Sequence, residues 1–500
     1  MQFPEGCVFN MKKPRVNKYL LIVIVIIAAG FLIYAYKNFK VSENFSSIPL
    51  NFNPTDSVST YNWNGSQITI KGGFVKGKIV DNKEESLILR SLSPAPEIII
   101  KGNKAVTLHI RLENINPTST TFSNIERSKI STVDAHTVLF SIGIIKDQEK
   151  IIKAVPKDGT EGFEFVMLGD NRDGYETFSQ ILDQINAINP VFTVDDGDLV
   201  FGGEPHKYRL FYQLISKSKV PIYTTLGNHD IRENGRPTYT KLFGPPYYSF
   251  DYKNTHFVFL DSSRGFTEKT AIPKEQYNWL ENDLKNARGK RILVFSHIPP
   301  TDPRTLKDKN NIPDIPEEEK PSLIERIMNN YSSYKNLNHG FISKDEAKKF
   351  EEIMTKYKVD TVFLSHIHSY FSYVKDNVRY VISGGAGAEL LTKDSYYHYL
   401  RVKVTDKDTY LEAVELPSPV NTLQDRYIAA AALFANALFI EYRTVVISIG
   451  LFILSILALI IWNKRKRLKI YIIFWAKFLS QIFKTILVKY REIKKDVFKD

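Results

Sequence analysis

A single cysteine, Cys7, stands in the 500-residue chain, so no intramolecular disulfide can form and no cysteine-ligated zinc site is available. No stretch reads G-x-x-x-x-G-K-[ST] and none reads G-x-S-x-G, which removes P-loop and serine-hydrolase chemistry. Surplus charge is missing from most of the chain as well. The net charge is +12, yet residues 1–18 hold four basic side chains against one acidic, and residues 463–500 hold twelve against three. The remaining 51 basic and 51 acidic groups cancel, so no nucleic-acid partner is expected. The composition that is present, 43% hydrophobic and 24% charged, is globular and excludes a disordered or collagen-like chain.

Two long apolar runs flank the middle of the chain. Residues 19–36 and 444–462 are uncharged and long enough to cross a hydrocarbon core of ~30 Å as transmembrane helices. Lys12, Lys13, Arg15 and Lys18 precede the first run, and Lys464, Arg465, Lys466, Arg467 and Lys469 follow the second. Basic flanks stay cytoplasmic, which leads to a two-span cell-membrane protein with both termini inside and the part between the spans extracytoplasmic. A cleaved signal peptide is the alternative for the first run, and Met11 reads as an alternative start. The basic tail, residues 463–500, spaces Lys477, Lys484 and Arg491 seven apart, which suits an amphipathic helix lying on membrane lipids or binding a partner.

Between the spans the patterning changes three times. Residues 37–60 read as a linker. Residues 61–158 carry short β-branched runs such as SQITI and EIIIKG between Gly, Asn and Pro punctuation, which predicts a small all-β, sandwich-like domain. Residues 159–416 alternate apolar strand-like runs with helical periodicity, an α/β domain. Residues 417–443 read as a helical connector to the second span.

The polar clusters of the α/β domain fall where its apolar runs end, the usual position for sites in open α/β sheets. FEFVML leads to Gly169-Asp170-Asn171-Arg172 and VFTVD to Asp196-Gly197-Asp198. VPIYTTL leads to Gly227-Asn228-His229-Asp230, RILVFS to His297, and VDTVFL to Ser365-His366-Ile367-His368. Carboxylates, a carboxamide and imidazoles together suit Mn, Fe or Zn, whereas Ca or Mg would call for oxygen donors.

This series resembles the calcineurin-like metallophosphoesterase family, whose blocks run D-x-H, G-D-x-x, G-N-H-[DE], H, G-H-x-H. The resemblance covers roughly residues 161–416 and implies a pair of β-sheets flanked by helices. It implies two divalent ions, one held by Asp198, Asn228, His297 and His366 and the other by Asp170, Asp198 and His368. It also places His229 as a general acid or charge stabiliser oriented by Asp230. The turn Gly384-Gly385-Ala386-Gly387 resembles one found near the site in this family.

Two departures stand out. Ser365 replaces a glycine, and Arg172 stands where the first histidine ligand belongs. A guanidinium has no lone pair for a metal. Purple acid phosphatases, which also lack that histidine, use a tyrosine three residues after the bridging aspartate; here that residue is Phe201. The metal site of Asp170, Asp198 and His368 is therefore short of one protein ligand and is expected to be the weaker. Arg172 would either contact substrate phosphate or pair with Asp173 or Asp196. The activity implied is hydrolysis of phosphate mono- or diesters by a metal-bound hydroxide, on a phosphorylated small molecule or an envelope substrate. The alternative is a catalytically weakened exterior domain acting as a sensor or binding module. Residues 299–340 read as a lid or a surface insertion.

Overall fold

The structure, a computed structural model, describes residues 45–81, 83–157, 162–172, 174–305, 338–390, 395–416, 475–477 and 480. The chain divides into two compact units, residues 1–40 with 419–500, and residues 41–418. In the first unit the described residues are helical. The second unit carries two layered bodies of β-structure.

The β-branched runs of its first part form β1 (Ser46–Ser47), β2 (Val58–Trp63), β3 (Ser66–Lys71), β4 (Gly73–Asp81), β5 (Glu84–Ser91) and β6 (Glu97–Gly102). They continue as β7 (Val106–Glu113), β8 (Thr120–Phe122), β9 (Ile130–Asp134), β10 (Thr137–Ile144) and β11 (Glu149–Pro156). Two sheets result, ordered β1-β4-β5-β7-β10-β9 and β2-β3-β6-β11-β8. Alternate residues of the strands, among them Ile68, Ile70, Leu87, Leu89, Ile98 and Ile100, share one buried core.

The second part contains β12 (Phe163–Leu168), α1 (Tyr175–Ile188), β13 (Phe192–Asp195), α2 (Pro205–Ile215), β14 (Ile222–Thr224), α3 (Arg236–Phe243), β15 (Tyr248–Tyr252) and β16 (Thr255–Leu260). After these come α4 (Lys274–Asn286), β17 (Arg291–Ser296), α5 (Lys344–Lys356), β18 (Thr361–Leu364), β19 (Tyr370–Lys375), β20 (Val378–Ser383), β21 (His398–Val404) and β22 (Thr409–Glu415). One sheet is ordered β14-β13-β12-β21-β22 and the other β15-β16-β17-β18-β20-β19. In the first, β12, β13 and β14 run parallel and β21 closes antiparallel on β12. In the second, β16, β17, β18 and β20 run parallel between antiparallel edges.

The strands are apolar on both faces because both are covered. Phe165 and Met167 point to the facing sheet, while Val166 and Leu168 point to the helices. Phenylalanine fills the space between the sheets: Phe165 stacks on Phe192 at 5.0 Å and meets Phe257, Phe295 and Phe363 edge-on at 5.7–6.0 Å. Outside, α1 packs Phe178, Ile181, Leu182 and Ile185 inward. The N-terminus of α5 is capped by Ser343, whose hydroxyl accepts from the Glu346 amide at 3.3 Å.

The edge strand β14 is covered by one side chain of the first body. Asn114 Nδ2 donates to Ile222 O at 3.0 Å and its Oδ1 accepts from Ile222 N at 2.8 Å, as a neighbouring strand would. Beside it, buried Lys76 donates to Glu113 and to the Tyr212 hydroxyl, both at 2.7 Å.

The expectation of two transmembrane helices is corrected. Among the described residues no helix is long and apolar enough to cross a membrane. The longest, α1, has 14 residues, and at 1.5 Å per residue it falls well short of a ~30 Å core. The two-span localisation with an extracytoplasmic domain and cytoplasmic termini is therefore not supported. The runs at residues 19–36 and 444–462, the connector 417–443 and most of the tail lie outside the described residues.

Candidate metal centre

Every sequence-expected ligand sits just beyond the carboxyl end of a parallel strand: Asp170 after β12, Asp198 after β13, Asn228 after β14, His297 after β17, and His366 and His368 after β18. Backbone strain is concentrated there. Asp170, Asp198 and His366 adopt left-handed φ of 59°, 55° and 69°, a cost that persists only where the surroundings fix the conformation. The surroundings do fix it. Asp170 Oδ2 accepts from the His366 amide at 2.7 Å, and Asp198 Oδ1 accepts from the His229 amide at 2.9 Å. Gly227 lets the third loop lie against Asp198, since a Cβ there would fall 2.2 Å from Asp198 N.

These turns converge on two groups that share one carboxylate. Asp198, His297 and His366 offer ligand atoms within 4.8 Å of one another, and so do Asp170, Asp198 and His368. Asn228 Oδ1, His297 Nε2 and His366 Nε2 are buried without a hydrogen-bond partner among the described residues. Most buried polar atoms in proteins are paired; here two unpaired ones, His297 Nε2 and His366 Nε2, lie beside Asp198, and Asn228 follows Gly227 on the turn packed against that carboxylate, a set that fits a cation. The imidazoles are oriented for that. His297 Nδ1 donates to Asp196 O at 2.7 Å and His368 Nδ1 donates to Glu389 O, which leaves each Nε2 lone pair turned inward.

Electrostatics follow from burial. It pushes the His366 pKa well below 6.5, helped by neighbouring His297, so the ring stays neutral. Burial also raises Asp198. Asp170 moves down in spite of burial, because His368, His297 and Arg172 favour its charged form. His368 moves up in spite of burial, because Asp170 favours the imidazolium.

Arg172, buried, meets partners that the sequence did not suggest. Its Nη2 donates to Glu389 Oε1 at 2.5 Å and its Nη1 to His229 Nε2 at 2.5 Å. Asp196 instead accepts from the Thr225 hydroxyl at 2.8 Å, and Asp173 lies outside the described residues. His229 Nδ1 donates to Phe201 O at 2.8 Å, and burial with Arg172 pushes its pKa well below 6.5. Its Nε2 thus serves as an acceptor here, whereas a general acid would need a proton on that atom. Asp230 does not orient the ring: its oxygens accept from Val200 N at 3.1 Å and Gly227 N at 2.8 Å, fixing the two loops to each other.

Two residues at the site escaped sequence reasoning. Glu389 follows the Gly-rich turn, whose Ala388 amide donates to Asp170 O at 2.8 Å; the turn carried a signal, the glutamate none. His339 is buried with its ring centroid 5.2 Å from that of His366, although it belongs to the stretch read as an insertion. Residues 306–337 of that stretch lie outside the described residues.

Comparison with known proteins agrees with the geometry. Residues 163–370 match the calcineurin-like phosphoesterase family model. A glycerophosphodiester phosphodiesterase, GpdQ, of Enterobacter lignolyticus is 30% identical over 131 residues, which are 24% of this chain and 47% of that protein. The serine/threonine-protein phosphatase CPPED1 of Mus musculus is 26% identical over 243 residues, 45% of this chain and 67% of that one. The chain spans about half the length of the phosphodiesterases it matches, 47% and 42%. Among solved structures, a dimetal phosphatase from Danio rerio aligns with a TM-score of 0.38 at 12% identity, over 51% of this chain and 96% of that one. The five polar strand ends and the shared aspartate all lie within residues 163–370, the span that matches the calcineurin-like phosphoesterase family model.

Proposed function

We propose that this protein is a metal-dependent phosphoric ester hydrolase acting on a mono- or diester of a phosphorylated small molecule. The observation that carries the reading is the pair of unpartnered buried atoms beside Asp198, His297 Nε2 and His366 Nε2, with the unpartnered Asn228 Oδ1 on the adjoining Gly227 turn. A Mn, Fe or Zn ion held by these four residues would supply Lewis-acid polarisation of a phosphoryl oxygen and a water of lowered pKa.

The chain's own residues do the remaining work. Asp196 O and Glu389 O fix the tautomers of His297 and His368. Arg172 presents a planar cation to phosphoryl oxygens, suited to paired N–H contacts. His229 accepts from Arg172 and so aims it, and Asp230 holds the Gly227 and Val200 loops in register. Phosphodiesterase and phosphatase activities of the relatives named above support ester hydrolysis as the class.

The test uses the full chain with Mn²⁺, Fe²⁺ or Zn²⁺ and the nitrophenyl esters of phosphate, mono and bis. Hydrolysis is expected, lost on chelation and lost together with bound ion in Asp198→Asn. Bound ion without hydrolysis of either ester would favour the binding-module reading, for which Arg172 in place of a ligand is the observation.

A further inference from the structure

The second group of ligand atoms, Asp170, Asp198 and His368, already faces a cation. Arg172 Nη2 lies 3.4 Å from His368 Nε2, the nitrogen a metal would need, and Arg172 Nε lies 3.9 Å from Asp198 Oδ2. The guanidinium is held there from several sides. Besides Glu389 and His229, its own amide donates to Asp198 O at 3.0 Å, and its Cζ sits 5.5 Å from the centroid of the Phe201 ring. Phe201 stands three residues after Asp198, the other position where a ligand for this group is missing. The two departures from the ligand pattern therefore touch each other, and together they seat a cation where neither donates to a metal.

Charge points the same way. Asp198 and Glu389 lie within 4 Å of the guanidinium, and Asp170 Oδ1 lies 3.4 Å from the same His368 Nε2 that faces Arg172. One guanidinium and one divalent ion neutralise these three carboxylates. A second divalent ion would leave two positive charges in excess, next to a group with no lone pair to offer.

We infer that the site binds a single divalent ion, at Asp198, Asn228, His297 and His366, and that Arg172 takes the place of the second ion beside Asp170 and His368. The inference rests on the phosphoesterase reading for the first ion. It adds that a third of the positive charge facing the substrate is covalent, independent of metal supply, and directional.

Ion counting tests it without reference to turnover. The full chain is saturated with Mn²⁺, freed of unbound ion by gel filtration, and measured by plasma mass spectrometry and by EPR. One Mn per chain with the six-line spectrum of an isolated ion is expected; two per chain with a spin-coupled spectrum overturns the inference. Arg172→His, with the circular dichroism of the wild type, should take up a second ion, and a count of one in that variant would remove Arg172 as the cause. Should Arg172→His fail to fold, the wild-type count still decides. A wild-type chain that binds no ion overturns this inference and the proposed function together, whereas two bound ions with ester hydrolysis overturn this inference alone.

Discussion

Gly227→Ala adds one methyl group and removes no ligand, yet it should disable the metal centre. The new Cβ would fall 2.2 Å from Asp198 N and 2.2 Å from Asp198 Oδ1. Neither atom is the free end of a flexible side chain: one is backbone, and the other is held by the His229 amide at 2.9 Å. Cβ contacts under 3.0 Å essentially never occur, so the loop and the shared carboxylate must part by at least about 0.8 Å. Ligands need to be held within ~0.5 Å, and a 1 Å misplacement costs on the order of 100-fold. Mn²⁺ affinity by isothermal titration and ester turnover should therefore fall about 100-fold in one or both readouts. Gly143→Ala is the control, because a Cβ there meets nothing within 4 Å. Wild-type ion affinity and turnover in Gly227→Ala would refute the claim that this close approach positions Asp198.

His229→Ala should leave ion affinity unchanged while turnover drops about 10- to 100-fold, the value of ~1.5–3 kcal/mol for a hydrogen bond to a charged group; loss of the ion would make His229 a ligand instead. His256, with Asp251 and Asp283 each 2.8 Å from a ring nitrogen, has its pKa moved from 6.5 to about 9, the two carboxylates outweighing burial. Its stabilising effect, about 3 kcal/mol at most, is thus complete below pH 6.5 and lost as pH rises towards 9. The melting-temperature difference between wild type and His256→Gln should shrink over that window, and a constant difference would count against it. Phe165→Ala empties the centre of the phenylalanine layer and should cost ~3–5 kcal/mol in denaturant unfolding; a loss below ~1 kcal/mol would mean the layer closes around the gap.

The convergence of the candidate ligands was legible because it is local. Each ligand follows an apolar strand within a few residues, and glycine marks the turns that must approach closely, so Asp170, Asp198, Asn228, His297, His366 and His368 could be read in order. The helices α1, α2, α4 and α5 were legible from their apolar spacing, whereas α3, eight residues long, is too short to show a period. What stayed hidden depends on contacts between distant segments. Glu389 reaches Arg172 across 217 residues, and nothing in the pattern around Glu389 marks it. The bond from the Val200 amide to Asp230 was hidden for the same reason, since the two lie 30 residues apart. The two-span expectation came from hydropathy and stands corrected: no helix among the described residues reaches the length and apolarity of a span, and the two apolar runs lie outside those residues.

The pairing of β12 with β21 bears on the order of events during synthesis. Phe163 lies opposite Val404 and Met167 opposite Leu400, so the strand that presents Asp170 has one neighbour made almost at once and another made last. At roughly 5–20 residues per second, about 10–50 s separate the emergence of Asp170 from that of its closing strand. Throughout that interval β12 offers an open row of amides and carbonyls next to exposed phenylalanines, the state most prone to wrong pairing. A metal ion cannot shorten the wait, because His297, His366 and His368 leave the ribosome late as well. A nascent chain halted after residue 370 would hold every candidate ligand and still lack the strand that closes the sheet beneath them.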